Sequence, residues 1–186
     1  MEAAYRDAGV RTIILRAGNV IDPEHNGDIM TAFLLREIVK GKVAAPGNPQ
    51  VPTAYAYVPD WARAAVMLAT RRERLATFED VPFPGHSFSV SDLHAALSEA
   101  TGRPLRLTRF AWWMMRLLAP FWELARDLGE MRYLWDLPHS LSGDKFARLL
   151  PGFQPTDLRR VMLAGLPDDI HPDKPMRPGG KAILAQ

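Results

Sequence analysis

A chain of 186 residues, 47% hydrophobic and 24% charged, carries apolar material for one packed domain or one and a fraction, which excludes a disordered polypeptide. Its 23 basic and 21 acidic side chains leave a net charge of +2, too balanced for a nucleic-acid binder driven by a basic surface. With no Cys, a disulfide scaffold, a thiolate-held zinc and a thiol nucleophile are all excluded.

Residues 1–8 read as the last turns of a helix stopped by Gly9, with no capping residue ahead of Glu2. The start, MEAAYRDAGV, is acidic and polar, unlike a secretory signal. No stretch approaches the about 20 apolar residues of a membrane span. A soluble, cytoplasmic protein is expected, with no nucleic-acid partner and no membrane partner.

Residues 11–16 (RTIILR) form a β-branched run and predict a buried strand. Residues 17–27 read as a loop, and Asp28 as the cap of a helix reaching Lys40. Residues 41–52 are turn-rich. Residues 53–58 (TAYAYV) alternate as a half-buried strand, and Asp60 caps a helix from Trp61 to about Thr70. Residues 87–90 are briefly extended, Ser91 caps a helix ended by Gly102, and residues 105–108 (LRLT) predict a strand. Residues 111–135 are a long apolar helical stretch broken near Pro120 and Gly129. Short helices over 144–150 and 156–166 precede a Pro- and Gly-rich tail. The order is that of an α/β protein with a helix-rich second half. Only two convincing strands precede residue 90, so the chain reads as part of a larger sheet.

The thirteen glycines build neither a GxGxxG nor a Walker A loop. The five histidines, His25, His86, His94, His139 and His171, show no metal-ligand spacing, and no GxSxG is present.

Four stretches taken in order carry a resemblance. They are residues 9–23 (GVRTIILRAGNVIDP), 54–68 (AYAYVPDWARAAVML), 88–102 (FSVSDLHAALSEATG) and 149–156 (LLPGFQPT). Together they resemble the C-terminal half of the extended, atypical short-chain dehydrogenase/reductases of the NAD-dependent epimerase/dehydratase family. The loop departs from the family pattern: Ala17 stands for the usual Pro, and Ile21-Asp22-Pro23 for Tyr-Gly-Pro. The resemblance implies a partial Rossmann-like parallel sheet, its last strands, with a helix-rich substrate and lid portion. Residues 1–75 would complete the NAD(P)-binding sheet, 76–166 would cover the substrate, and 167–186 would be a tail.

Ligands bind outside the carboxyl ends of strands in open α/β sheets. The strand at 11–16 delivers Ala17, Gly18, Asn19 and Val20 to that edge, beside the nicotinamide and the substrate in the family. These four are the candidate cofactor contacts. Asn19, Tyr57 and Trp61 are the candidate substrate contacts. Asn19 reads equally as a turn residue, and Tyr57 and Trp61 as core. The implied cofactor is NAD(P), and the implied substrate a nucleotide sugar or similar small molecule.

The family's acid–base engine is a Tyr-x-x-x-Lys pair. Tyr5, Tyr55, Tyr57 and Tyr133 are followed at that spacing by Gly9, Pro59, Trp61 and Leu137. No catalytic or metal residue is therefore assigned. The phosphate-binding turn and the dyad are expected upstream of a truncated start, and this chain alone is expected to be inactive. A non-catalytic binding module remains the alternative, with homodimer or partner contacts through exposed apolar faces. Residues 110–122 (FAWWMMRLLAPFW) fit a lid, a helix–helix core or, less well, a membrane-surface anchor with Trp112, Trp113 and Trp122 inserted and Arg116 and Arg126 at the headgroups.

Overall fold

The computed structural model describes residues 2–24 and 27–172. The helix α1 (Glu2–Asp7) leads into β1 (Thr12–Arg16), the expected β-branched strand. The predicted loop after β1 instead contains β2 (Asn19–Ile21). The turn-rich stretch likewise contains β3 (Lys42–Ala45), ahead of β4 (Thr53–Tyr57). Helix α2 (Val58–Thr70) comes at once, and then a further strand, β5 (Phe78–Pro82), with β6 (His86–Phe88) behind it. β2, β3 and β5 escape the sequence reading for a common reason. Strands of three to five residues show too few alternations to register, and β5 contains Glu79, Asp80 and Pro82.

The helix α3 (Val90–Thr101) is capped by Ser89 rather than Ser91. The Ser89 side chain accepts from the Asp92 backbone N–H, and Asp92 answers through the Ser89 N–H in a capping box. β7 (Arg106–Arg109) leads to α4 (Trp112–Leu118) and α5 (Glu123–Glu130), which break around Pro120; α6 (Asp144–Leu149) and α7 (Leu158–Leu163) complete the order.

Three small sheets result. β1 pairs with β5 in parallel, from Thr12 against Phe78 to Arg16 against Pro82. β2, β4 and β6 form a second sheet, in which β2 runs parallel and β6 antiparallel to β4. β3 and β7 pair in parallel.

β4 organises the interior. Every one of its residues is buried, so it is not the half-buried strand its alternation suggests. Alternate side chains leave a strand on opposite faces. Tyr55 and Tyr57 enter a cluster with Ile21, Met30, Leu93 and Val161, while Ala56 enters another with Leu68, Val81, Phe83 and Phe146. Tyr55 stacks on Phe88 with centroids 4.1 Å apart and planes 11° apart. Burying each large apolar side chain of this kind contributes about 1.5–3 kcal/mol. Both clusters draw on residues before and after position 75.

The helix expected over 28–40 is also different. Asp28 does accept from the Thr31 backbone N–H at 3.0 Å. Beyond it the chain makes a π turn over Met30–Leu34, closed by Leu35 N–H on the Met30 carbonyl at 2.8 Å, and then a 3-10 turn over Ile38–Lys40. The wider turn lets Met30, Leu34, Leu35 and Ile38 all enter the first cluster. Of the predicted tail, residues 173–186 lie outside the described residues, as does His25.

Candidate functional site

The site begins where β1 ends. Arg16, its last residue, is paired with Asp80 on the neighbouring strand at 2.8 Å and also with Glu2. The Arg16 hydrogen bond and charge hold the Asp80 carboxyl below the usual carboxylate range, and the Arg16 pKa is raised in return. Ala17 is exposed, and the backbone then turns in against β4. Gly18 makes this approach possible: a Cβ there would lie 2.5 Å from the Ala54 carbonyl oxygen and 2.8 Å from its carbon. The close passage sets β2 in register on β4, with Asn19 opposite Tyr55.

Asn19 then faces a small cavity of about 50 Å3. Ile29 and Phe33 of the π-turn segment, Pro46 after β3, Phe110 and Trp112 line one part of it; Leu128, Met131, Leu134, Trp135 and His139 close the other. The aromatic wall is continuous. Phe110 lies 5.6 Å from Phe33 and 4.8 Å from Trp112 between centroids. The Trp112 indole N–H donates to the Pro46 carbonyl, and the His139 Nδ1 lies 3.0 Å from the Leu137 carbonyl. The π turn and the α4–α5 hairpin thus meet over the end of the second sheet.

The other sequence candidates lie elsewhere. Val20 is 42% exposed on the opposite side of β2 from the Ile21 core position. Tyr57 is buried in the first cluster, because β4 has no solvent face. Trp61 packs against the second cluster and donates its indole N–H to the Leu15 carbonyl at 3.3 Å. The structure therefore brings Asn19 into the cavity and seats Tyr57 and Trp61 in or against the cores behind it. Phe110 and Trp112 fall in the stretch read as a lid, whereas Phe33 and His139 line the cavity without a sequence signal, because only the tertiary fold brings them there.

Asp60 does not cap α2. It sits within the first turn of a helix that starts at Val58 with Pro59 already inside it. Only 2% exposed, its carboxylate accepts from the Thr156 N–H at 2.7 Å, the Thr156 hydroxyl at 2.9 Å and Arg63 at 2.9 Å. This pins the chain after α6 to the start of α2.

The titration chemistry is sparse. Burial pushes the Tyr55 hydroxyl up to about 12, far from a proton donor poised near neutrality. Lys145 lowers Glu79 through a hydrogen bond, and Lys40 and Lys42 lower Glu37. Among the described residues, no group of three or more His, Asp or Glu side chains could hold a metal ion, and no helix is long and apolar enough to cross a membrane. For a dinucleotide, the exposed end of β1 offers a wall, but the sequence holds no Gly-rich turn to receive a pyrophosphate at a helix N-terminus. The residues present therefore fit only part of such a cofactor.

No family model matches the chain, and no curated protein matches its sequence. Solved structures do match. L-threonine dehydrogenase from Phytophthora infestans superposes with a TM-score of 0.62 at 18% identity, over 89% of this chain and 50% of its own. UDP-glucuronic acid 4-epimerase from Bacillus cereus, solved with UDP-glucuronic acid and NAD, gives 0.60 at 14% identity, over 88% and 46%. The fold is that of NAD-dependent epimerases and dehydratases. The dTDP-glucose 4,6-dehydratase DesIV from Streptomyces venezuelae, with NAD and TYD bound, agrees at 0.57 and 18% identity, over 88% and 46%. The chain spans about half the length of the solved structures it matches.

Proposed function

We propose that this chain supplies the substrate-facing part of a cytoplasmic NAD(P)-dependent oxidoreductase, epimerase or dehydratase of the short-chain dehydrogenase/reductase family. The observation that carries this reading is the delivery of Asn19, just past the carboxyl end of the parallel β1–β5 pair, into a cavity roofed by the α4–α5 hairpin. In this reading β1 and β5 belong to the nucleotide-binding sheet, so the division expected at residue 75 is crossed by that pair, and residues from both sides of it enclose a small-molecule substrate. Ala17, Gly18 and Val20 form a wall for the cofactor. Asn19 meets the substrate, its amide able both to donate and to accept. Tyr57 and Trp61, set in the cores, hold the sheet edge that carries Asn19 in place. NAD(P) supplies the hydride chemistry when bound; this chain's own part is to orient the substrate and exclude water.

The chain has no Tyr-x-x-x-Lys pair, and its Tyr55 hydroxyl is buried and titrates high. Titration of the purified chain with NADH and NADPH, monitored by nicotinamide fluorescence, is expected to show no saturation below about 1 mM. No turnover is expected either. Turnover by this chain alone overturns the assigned division of labour.

A binding module without catalysis is the second reading. It is favoured by the apolar outer face of the hairpin, where Phe121 is 91% exposed and Trp113 and Leu117 are each 66% exposed. Light scattering distinguishes the two readings: a clean monomer that binds no hydrophobic dye counts against an interaction module.

A further inference from the structure

The lining of the cavity narrows the class of substrate, an inference that rests on the function proposed for this chain. All but two of the lining residues are apolar, and the two exceptions, Asn19 and His139, are uncharged or weakly basic. His139 already turns one ring nitrogen to the Leu137 carbonyl. Among the described residues, no Arg or Lys lines the cavity. The guanidinium of Arg132 lies 5.6 Å over the Trp112 ring, held against that aromatic face instead. A nucleoside diphosphate entering here would leave its phosphates desolvated and without a paired cation. A sugar ring would leave most of its hydroxyls without partners.

Size points the same way. An apolar cavity of about 150 Å3 accommodates benzene, whereas this one is about 50 Å3. It admits a short chain or the edge of one ring. The cations nearby lie across a wall. Phe33 and Phe110 also line a second, open groove of about 410 Å3 that contains Arg36, Lys40, Lys42 and Arg109. Its one carboxylate, Glu37, holds both lysines. The two phenyl rings stand between that groove and the cavity that Asn19 faces.

We propose that the cavity takes a small, uncharged, largely apolar alcohol or ketone. The Asn19 amide bonds the ligand's single oxygen, and the Phe33, Phe110 and Trp112 rings enclose its carbon skeleton. A nucleoside diphosphate sugar is excluded from it.

The test uses the full chain with acetone and UDP-glucose as probes, each titrated to about 10 mM. The indole N–H resonances of Trp112 and Trp135 report the cavity, and that of Trp61, at the other core, is the control. Acetone is expected to shift the first two and leave the third unmoved. Asn19→Ala is expected to weaken binding at least fivefold, and Asn19→Ser, whose hydroxyl can replace the amide as a hydrogen-bonding group, by less. If Asn19→Ala fails to fold, Phe33→Trp serves in its place and is expected to abolish the shifts by filling the space. UDP-glucose is expected to leave both indoles unmoved; any UDP-glucose binding that Arg36→Gln and Arg109→Gln abolish belongs to the groove and agrees with the proposal. UDP-glucose shifting the two indoles, alone or together with acetone, overturns the substrate class and leaves the cavity as the substrate side. Neither probe shifting them overturns the reading of the cavity itself.

Discussion

At the start of α2 the polar groups are buried and answered, whereas along the outer face of the α4–α5 hairpin the apolar groups are exposed and unanswered. Asp60 receives three hydrogen bonds, from two groups of Thr156 and from Arg63. Arg63 also donates to the Gln154 carbonyl and stacks 4.7 Å over the Phe153 ring. Residues nearly a hundred positions apart are thereby held in one arrangement. The hairpin keeps Met115 and Ala125 buried as its anchors and turns Trp113, Leu117, Phe121 and Leu124 to solvent. Its inner residues roof the cavity, so it is apolar on two faces but packed on one. The difference separates a frame, which specifies one structure, from a cover, which presents surface to something else.

The sharpest way to break this contrast is at Asp60. Asp60→Ala leaves two half-buried donors on Thr156 without an acceptor and releases Arg63, and is expected to cost about 3 kcal/mol in urea unfolding. Asp60→Asn keeps one acceptor oxygen and is expected to cost less. A loss under about 1 kcal/mol for the Ala variant would mean that the clamp does not hold the frame.

Gly18 tests the edge between frame and site. Its would-be Cβ meets backbone and not a flexible side chain, so Gly18→Ala must push β2 away from β4. A cost of about 2 kcal/mol is expected, together with displacement of Asn19 and loss of ligand-induced shifts at Trp112. A variant of unchanged stability would show that β2 has room to spare.

The same division governs how much of the molecule is legible in its sequence. β1 announces itself through TIILR, and α3 ends where Gly102 says it should. Asn19 is reachable because a strand's carboxyl end is a general ligand position. The Asp60–Thr156 contact is not, because a capping carboxylate and a buried clamp look alike until the partner ninety-six residues away is placed. The cavity is illegible for a related reason. Ile29, Phe33, Trp112 and Trp135 read as helix-face apolar residues, and only the π turn and the break at Pro120 turn them toward one another.

Acid sharpens the comparison at a third point. The folded-state pKa of Asp80 is depressed, so its pairing with Arg16 contributes stability above the unfolded carboxylate value of about 3.9. That contribution is lost as pH falls through the depressed folded value. In Arg16→Gln, the Asp80 carboxyl carbon is expected to titrate at higher pH by NMR, and the acid unfolding transition to begin at higher pH. The pair is partly exposed, with side chains 43% and 32% accessible, so the effect is smaller than at Asp60 and shrinks with added salt. An Asp80 titration unchanged by the substitution would assign its lowered pKa to another group, Lys145 being the next cation.

The smallest effect on stability belongs to the hairpin, and there the small size is the informative result. Phe121 has almost no packing to lose, so Phe121→Ser is expected to change unfolding free energy by no more than about 0.5 kcal/mol. Combined with Leu117→Ser on the same outer face, it is expected to lower hydrophobic-dye binding and self-association without moving the cavity indoles. A substantial loss of stability would mean that these side chains are packed in solution, and the cover would then belong to the frame. Unchanged stability with reduced association would establish that the outer face contributes to contact and not to folding, the converse of the result expected at Asp60.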